Sequence, residues 1–176
     1  MLSDKDMYER MAKGWRGGIP DGTICGQGST KRNTSIITGW LPDVCKRLNI
    51  DSVCDAGAGD LHWIKRVPWD VDYKAFDLIP RHPEVQKLDI TTERLPECDA
   101  ILCRMVLNHL DDFRVEMALD LFAESADYLI ATHFAGGGVQ RDAQFTRMDL
   151  TRWLGEPIEM CRDGHEENCQ LAVWRL

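Results

Sequence analysis

The sequence predicts an α/β protein with a mostly parallel sheet that ends in an antiparallel hairpin. Short apolar segments alternate with helix-forming segments from residue 31 to residue 134, which is typical of parallel strands joined by crossovers. Glycines or acids follow several of these apolar segments, at the points where parallel strands would end. Two further apolar segments, separated by a polar loop, close the sequence and predict a hairpin at one edge of the sheet.

The amino-terminal 49 residues predict two helices joined by a glycine-rich loop. Apolar residues recur at helical spacing over 4–13 and over 31–48. The loop between them holds Trp and Arg among glycines, so it either covers a ligand or packs as an irregular lid, and both interpretations are equally good. We expect one domain over 1–176, with 1–49 as helices and lid and 50–176 as the core. The candidate lid residues are Trp15, Arg16, Gln27, Ser29 and Asn33.

The predicted first strand, residues 52–56, runs into a glycine turn at Gly57 and Gly59. A helix-like segment over 61–67 follows the turn. Glycines let the backbone approach a ligand closely, and a helix N-terminus presents unpaired N–H groups, so this unit favours binding of a nucleotide. Asp60 either caps the following helix or contacts the ligand.

Acids lie near the ends of the next two predicted strands. Asp77 belongs to the strand over 73–79 and falls about 20 residues after the glycine turn, where the ribose hydroxyls of a nucleotide are held. Asp89 belongs to the short strand over 85–90. Because the carboxyl ends of parallel strands meet at one edge of a sheet, the turn and both acids predict a single ligand site.

Polar residues also lie at the tips of the fourth and fifth predicted strands, 99–106 and 128–134. Asn108 and His109 follow the fourth strand, and His133 lies near the end of the fifth. These three side chains are therefore expected at the same ligand edge as the two acids.

The helix predicted between these two strands covers 111–126. Its apolar spacing places four large side chains towards the core. A helix of one or two turns is predicted over 146–154, and the segments 157–161 and 169–176 form the terminal hairpin. The four inward side chains are those of Phe113, Met117, Leu121 and Phe122.

The composition disfavours several classes of protein. A formal net charge of −8 and a pI of about 5.1 argue against a general nucleic-acid binder, although basic residues between Lys5 and Lys46 leave room for a local patch. No apolar run has the roughly 18–20 residues of a membrane span, and the polar N-terminus does not resemble a secretory signal, so we expect a cytoplasmic protein. Seven cysteines without Cys-x-x-Cys spacing predict free thiols and disfavour a zinc site.

Four motifs at the predicted strand tips are Asp55-Ala56-Gly57-Ala58-Gly59, Phe76-Asp77, Leu88-Asp89-Ile90 and the segment 99–110. Together they resemble the motifs of class I S-adenosylmethionine-dependent methyltransferases, over roughly residues 50–134 and the terminal hairpin. Segments 26–34, 40–42 and 103–110 further resemble a small bacterial and phage-type subgroup of these enzymes. Leu61 replaces the third glycine of the family's fullest motif, and the helix after the second strand is almost missing. Less protein is therefore expected to cover the cofactor.

The resemblance implies a Rossmann-like methyltransferase sandwich that uses S-adenosyl-L-methionine and releases S-adenosyl-L-homocysteine. The glycine turn would lie beneath the methionine and ribose portion, and Asp77 would bind the two ribose hydroxyls. Asp89 would accept from the adenine amino group, with Ile90 against the ring, and Arg104 or the main chain near it would line the methionine end. The implied cofactor-binding residues are Asp55, Ala56, Gly57, Gly59, Asp77, Leu78, Asp89, Ile90 and Arg104.

Methyl transfer is an in-line displacement, so it depends on positioning in a dry pocket and needs a base only if the acceptor loses a proton. His109 and His133 are the candidate bases, although a structural role explains each of them as well, and Asn108 is a candidate for positioning the acceptor. The segment after the fourth strand lacks the Asn/Asp-Pro-Pro-aromatic motif that cradles the amine of a nucleic-acid base. An oxygen or nitrogen of a small molecule is therefore the favoured acceptor.

Three other functions are weighed against this one. A catalytically silent S-adenosylmethionine-binding protein, regulatory or cofactor-depleting, would keep the same motifs. A methyltransferase acting on RNA or a modified nucleotide is also compatible with them. A dinucleotide oxidoreductase is disfavoured, because the turn lacks the full Gly-x-Gly-x-x-Gly; Trp63 and Ile64 follow the place where the third glycine belongs.

Overall fold

A seven-stranded sheet forms the centre of the computed structural model, which describes residues 21–137, 141–142 and 145–176. Two further short strands pair with each other outside this sheet. The strands of the described residues are β1 (Ser52–Ala56), β2 (Asp72–Asp77), β3 (Val85–Lys87), β4 (Cys98–Cys103), β5 (Ala126–Phe134), β6 (Arg141–Asp142), β7 (Phe145–Thr146), β8 (Glu159–Arg162) and β9 (Cys169–Arg175).

The sheet has the order β3-β2-β1-β4-β5-β9-β8. The first five strands pair in parallel, whereas β9 is antiparallel to β5 and β8 is antiparallel to β9. This confirms the predicted α/β class, with a mostly parallel sheet and an antiparallel terminal hairpin. Because β8 runs in the direction of β5, the β8–β9 loop lies at the edge where β1 to β5 end. We call this edge the carboxyl edge.

One face of the sheet is covered by α1 (Lys31–Leu48), which has the predicted bounds. Thr30 caps its first turn, since the Thr30 side chain accepts from the Asn33 N–H at 3.3 Å. Asn49 ends it in the left-handed conformation, with φ of 54°. Its fully buried residues pack against β1, β4, β5 and β9; they include Ile37, Leu41 and Val44.

The opposite face is covered by α2 (Asp112–Ala123), which is shorter than predicted and buries a different stripe. Phe122 is buried as expected, but Phe113 is 70% exposed and Met117 and Leu121 are only half-buried. The inward prediction was therefore wrong for these three residues. Ala118 is fully buried and lies on the stripe that packs into the core instead. The residues that α2 buries are Val115, Ala118, Leu119 and Phe122.

The helix predicted over 61–67 is absent; this segment holds turns and one 3-10 turn, Ile64–Arg66. Leu61 has φ of 59°, a left-handed value that cannot start an α-helix. Asp60 accepts from the His62 N–H at 3.1 Å, and such a local hydrogen bond competes with the helical pattern. The prediction of a helix N-terminus beneath the ligand was therefore wrong.

The remaining elements follow the predictions more loosely. The helix predicted over 146–154 is confined to α3 (Thr151–Leu154). The predicted helix over 4–13 and the lid residues Trp15 and Arg16 lie outside the described residues, and the division of the domain at residue 49 stays a prediction. None of the helices in the described part of the chain is long and apolar enough to cross a membrane.

Candidate active site at the carboxyl edge

The glycine turn lies at the tip of β1 and depends on two glycines. Gly57 has φ of 99° and Gly59 has φ of 61°, values that residues with side chains rarely adopt. A Cβ atom on Gly57 would lie 2.1 Å from Cγ2 of Val106, and one on Gly59 would lie 2.7 Å from Sγ of Cys25. The Gly57 N–H donates to the carbonyl of Phe76 at 2.8 Å, which fixes the turn against β2.

Asp77 is the last residue of β2 and contacts the glycine turn directly. Its Oδ2 accepts from the Gly59 N–H and its Oδ1 from the Ile79 N–H, both at 2.9 Å. Burial raises the pKa of Asp77, while these two N–H groups and the Arg81 guanidinium act in the opposite direction. The predicted juxtaposition of turn and acid is therefore present in the structure.

Asp89, Ile90 and Leu78 follow along the same edge. Oδ1 of Asp89 accepts from the N–H and the hydroxyl of Thr91, at 2.9 and 2.7 Å. Among the described residues no hydrogen bond ends on Oδ2, so this oxygen is open to a donor from a ligand. Ile90 packs into the core with Leu88, whereas Leu78 is half-buried.

Asp55 lies beneath the turn and is only 3% exposed. The Tyr73 hydroxyl donates to its Oδ2 at 2.5 Å. Burial raises the pKa of Asp55 to about 7; the Tyr73 hydrogen bond and Arg104 oppose this rise, and the charge of Asp77 adds to it. The neighbouring Ala56 is fully buried. A cation above the turn would therefore favour the ionised form of Asp55.

A segment that we call the strap, residues 21–30, crosses the carboxyl edge. Oδ2 of Asp60 accepts from the Thr23 hydroxyl at 2.8 Å and from the Ile24 N–H at 2.7 Å. Nη1 of Arg81 donates to the Ile24 carbonyl at 3.0 Å. Asp60, which the sequence assigns to a helix cap or a ligand contact, thus holds the strap on the glycine turn.

Arg104 directly follows β4, and its side chain is 3% exposed. Its Nε and Nη2 donate to the two carboxylate oxygens of Asp163, at 2.7 and 2.9 Å, and Nη2 also donates to the Gly28 carbonyl at 2.8 Å. The guanidinium lies 5.1 Å from the centre of the Trp63 ring. Arg104 therefore joins the tip of β4 to the β8–β9 loop and the strap, and Asp163 neutralises its charge. Its expected position at the methionine end stays a prediction.

Asn108 and His109 form a 3-10 turn with Leu107 after β4. Asn108 is 1% exposed, and its Nδ2 donates to the Thr146 carbonyl at 2.9 Å. Its Oδ1 is buried without a hydrogen-bond partner among the described residues. His109 is half-buried, with its ring centre 5.8 Å from that of Phe145. Asn108 thus retains an acceptor oxygen for a ligand.

His133 lies in the core rather than in an open cleft. It is 2% exposed, and its ring packs edge-on against Trp174 at 5.6 Å between centres. Its Nδ1 accepts from the Leu150 N–H at 3.3 Å, and burial lowers the pKa of His133. The lone pair that a base would use is therefore already taken by the backbone.

The β8–β9 loop contributes two residues that the sequence reasoning missed, Asp163 and His165. Asp163 is fully buried and His165 lies against Gly28 of the strap. No spacing motif points to either residue. The contact that brings them to the site joins Arg104 to Asp163 across 59 positions of the chain, which no local pattern reveals.

Two cavities of the described residues lie away from these side chains. One, of about 370 Å³, is lined by Ile50, Asp51 and Trp69 and opens at the amino ends of β1 and β2. The other, of about 120 Å³, lies beside Tyr73 and Glu84. The carboxyl edge is instead crossed by the strap and the β8–β9 loop.

Solved structures match this chain, whereas no family model and no curated protein does. Magnesium protoporphyrin IX methyltransferase from Synechocystis PCC 6803, solved with bound S-adenosylmethionine, matches with a TM-score of 0.58 and 17% identity, over 97% of this chain and 90% of that one. The methyltransferase domain of bacterial CtHen1 matches with a TM-score of 0.54 and 16% identity, over 80% and 97% of the two chains.

A third match is the O-methyltransferase NcsB1 from neocarzinostatin biosynthesis, solved with S-adenosylmethionine and 2-hydroxy-5-methyl naphthoic acid. Its TM-score is 0.57 and its identity 16%, over 73% of this chain and 50% of that one. Identities this low support a similarity of fold but not of activity. The chain therefore has the fold of class I S-adenosylmethionine-dependent methyltransferases, the family that its motifs resemble.

Proposed function

We propose that this chain binds S-adenosylmethionine at the tips of β1, β2 and β3 and transfers its methyl group to an oxygen or nitrogen of a small molecule. The observation that carries the proposal is the position of Asp77. Its carboxylate ends β2 and accepts from the Gly59 N–H, in a fold shared with methyltransferases solved with this cofactor.

The residues at these tips fit the hydrogen-bonding groups of the cofactor. Ribose hydroxyls and the adenine amino group are donors, and the carboxylates of Asp77 and Asp89 are acceptors. We assign the ribose to Asp77 and the adenine amino group to Oδ2 of Asp89, with Leu78 and Ile90 beside the ring. The methionine portion then lies over the glycine turn, where the acids Asp55 and Asp77 favour its positive charges.

The bound cofactor supplies an electrophilic methyl group, and the protein supplies position and exclusion of water. The strap, held by Asp60, and the β8–β9 loop, held by Arg104, cover the edge from two sides. Oδ1 of Asn108 offers a buried acceptor to an O–H or N–H of the methyl acceptor. His109 lies on the same turn and remains a candidate for contact with that molecule.

A small molecule is the favoured acceptor because the chain is acidic, with a net charge of −8. Two proteins of the same fold are described with small molecules: one is named for a porphyrin, and the other was solved with a naphthoic acid. RNA or a modified nucleotide is the less favoured alternative, since it would need a basic groove on this acidic chain.

A catalytically silent cofactor-binding protein is the second candidate, and one observation favours it. The strap lies close over the glycine turn, so that a Cβ on Gly59 would approach Sγ of Cys25 to 2.7 Å. A strap that stays closed over bound cofactor would keep an acceptor out.

Methyl-labelled S-adenosylmethionine, incubated with the protein and a metabolite extract, separates these two functions. We expect label in a small-molecule product, and none with the Asp77→Ala variant. Tight binding of the cofactor with no labelled product would overturn the transferase and support the silent protein. Label in RNA would redirect the proposal to a nucleic-acid acceptor.

A further inference from the structure

His165 lies in the β8–β9 loop, among charged groups of the carboxyl edge that are already paired. Asp163 of the same loop binds Arg104, and Glu166 binds the Nε of Arg147 at 2.8 Å. Nε2 of His165 lies 3.8 Å from Oε1 of Glu166. The imidazole thus lies among ion pairs, while its Nδ1 makes no hydrogen bond to the described residues.

Nδ1 of His165 is buried and has no hydrogen-bond partner among the described residues. A buried nitrogen without a partner is costly, so its retention points to a partner that arrives with a ligand. The weak contact of Nε2 with Glu166 favours the tautomer with its proton on Nε2. The Nδ1 lone pair is then free to accept a proton.

Gly28 of the strap lies against the imidazole of His165. A Cβ placed on Gly28 would lie 3.5, 3.6 and 3.7 Å from Nδ1, Cγ and Cε1 of the imidazole. These nearly equal distances mean that the strap covers the face of the ring. The lone pair of Nδ1 lies in the ring plane, so Gly28 itself does not lie along its direction.

The environment disfavours the charged form of the imidazole. Burial lowers the pKa of His165; Glu166 and Asp163 act against this, and Arg104 and Arg147 act with it. His133 differs, because its Nδ1 already accepts from the Leu150 N–H.

We propose that Nδ1 of His165 accepts the proton that the methyl acceptor loses, so that the acceptor is a hydroxyl or amine rather than a carboxylate. The inference rests on the proposed transferase function. As the heteroatom bonds to the methyl carbon, its bond to hydrogen breaks and the proton moves to Nδ1, while the carbon–sulfur electron pair leaves with the thioether. Glu166 stabilises the resulting imidazolium until solvent takes the proton.

The protonation state of His165 is tested first, without any acceptor. Imidazole ¹H–¹⁵N spectra of the labelled protein are recorded across the pH range, and the His165 signals are assigned by their loss in His165→Gln. We expect a neutral ring at pH 7 with its proton on Nε2. A protonated ring at pH 7, or a proton on Nδ1, would overturn the inference whatever the enzyme methylates.

Transfer to the metabolite extract gives the second test. We expect label that survives mild alkali, as in methyl ethers and methylamines, and a rate about 10²- to 10⁴-fold lower in His165→Gln. S-adenosylhomocysteine affinity should be unchanged in that variant, and His82→Gln, a histidine between β2 and β3, should transfer at the wild-type rate.

Each remaining outcome is decisive. Alkali-labile label would identify a methyl ester, hence a carboxylate acceptor that needs no base, and would overturn the inference while leaving the transferase function intact. A wild-type rate in His165→Gln would do the same. Absence of all transfer by the wild-type protein would remove the proposed function, and the inference with it.

Discussion

The carboxyl edge consists of two halves that hold their charges in different ways. One half, at the tips of β1 to β3, is the proposed site of the methyl donor, and we call it the donor half. There the carboxylates of Asp77 and Asp89 accept mainly from backbone N–H groups. In the hairpin half, at the tips of β4, β5 and the β8–β9 loop, charged side chains pair with each other, as Arg104 does with Asp163. The donor half is built by neighbours along the chain or on adjacent strands, and the hairpin half by contacts between distant segments.

This difference indicates that the two halves have different roles, one in binding a ligand and the other in holding the structure together. Carboxylates fixed by backbone groups keep lone pairs for a ligand, as Oδ2 of Asp89 does. The pair of Arg104 and Asp163 is saturated and serves to hold the strap and the β8–β9 loop in place. Breaking the buried pair in the hairpin half should therefore lower stability, whereas substitutions in the donor half should change cofactor affinity or the pH dependence of stability.

The largest effect is expected from Asp163→Asn, which removes one charge of the buried pair. Arg104 would be left uncompensated in the interior, at a cost of about 3–5 kcal/mol in the free energy of unfolding, measured by urea denaturation. Glu84→Gln breaks the exposed pair with Lys65 and should leave the urea midpoint unchanged. A shift for Asp163→Asn no larger than that of the control would show that the pair does not anchor the hairpin half.

In the donor half, Asp55→Asn should change how stability depends on pH. The carboxyl of Asp55 keeps its proton in the folded protein up to about pH 7 but loses it near pH 4 when unfolded. The folded state therefore binds more protons across this window, and wild-type stability falls as pH rises from about 4 to about 7. Asp55→Asn has no titrating group at this position and does not lose stability in this way. Its free energy of unfolding relative to wild type should therefore increase by the order of 3 kcal/mol from about pH 4 to about pH 7 and then stay constant.

Unfolding measured at several pH values checks this sign. Asp51→Asn is the matched control, since Asp51 is exposed just before the same strand. A difference between Asp55→Asn and wild type that stays constant from pH 4 to pH 8 would mean that Asp55 is already ionised at low pH in the folded protein.

A smaller effect is expected from Asp89→Ala, which removes the proposed acceptor for the adenine amino group. Affinity for S-adenosylhomocysteine should fall about tenfold, as for one hydrogen bond to a charged group. The deaminated analogue, in which oxygen replaces that amino group, should bind wild type and variant alike. If the variant weakens both ligands equally, Asp89 does not contact the amino group.

Local patterns in the sequence predicted much of the donor half and of the sheet. The spacing of Gly57, Asp77 and Asp89 suffices to place them at one edge, because each residue ends or follows a short strand and parallel pairing brings strand ends together. The bounds of α1 could also be predicted from the sequence, because Thr30 and Asn49 are residue types that favour the start and the end of a helix.

Long-range contacts explain what the sequence did not reveal. Asp60 binds the strap at Thr23 and Ile24, and this contact accompanies a left-handed Leu61 where a helix was expected. Phe113 was placed inward by periodicity alone, which finds an apolar stripe but not the stripe that packs closest. The position of His165 depends on the pairing of Asp163 with Arg104, which only the folded chain creates.

The most direct test of the account is calorimetric titration of S-adenosylhomocysteine into wild type, Asp77→Ala and Asp72→Asn. Asp72 lies at the other end of β2, exposed and paired with Lys74, so its substitution changes the charge of the same strand without touching the proposed site. Wild type and Asp72→Asn should bind with equal affinity. Asp77→Ala should bind at least about 100-fold more weakly, because two hydrogen bonds to a carboxylate are lost. Equal affinity in all three proteins would contradict the assignment of the ribose to Asp77 and with it the donor half.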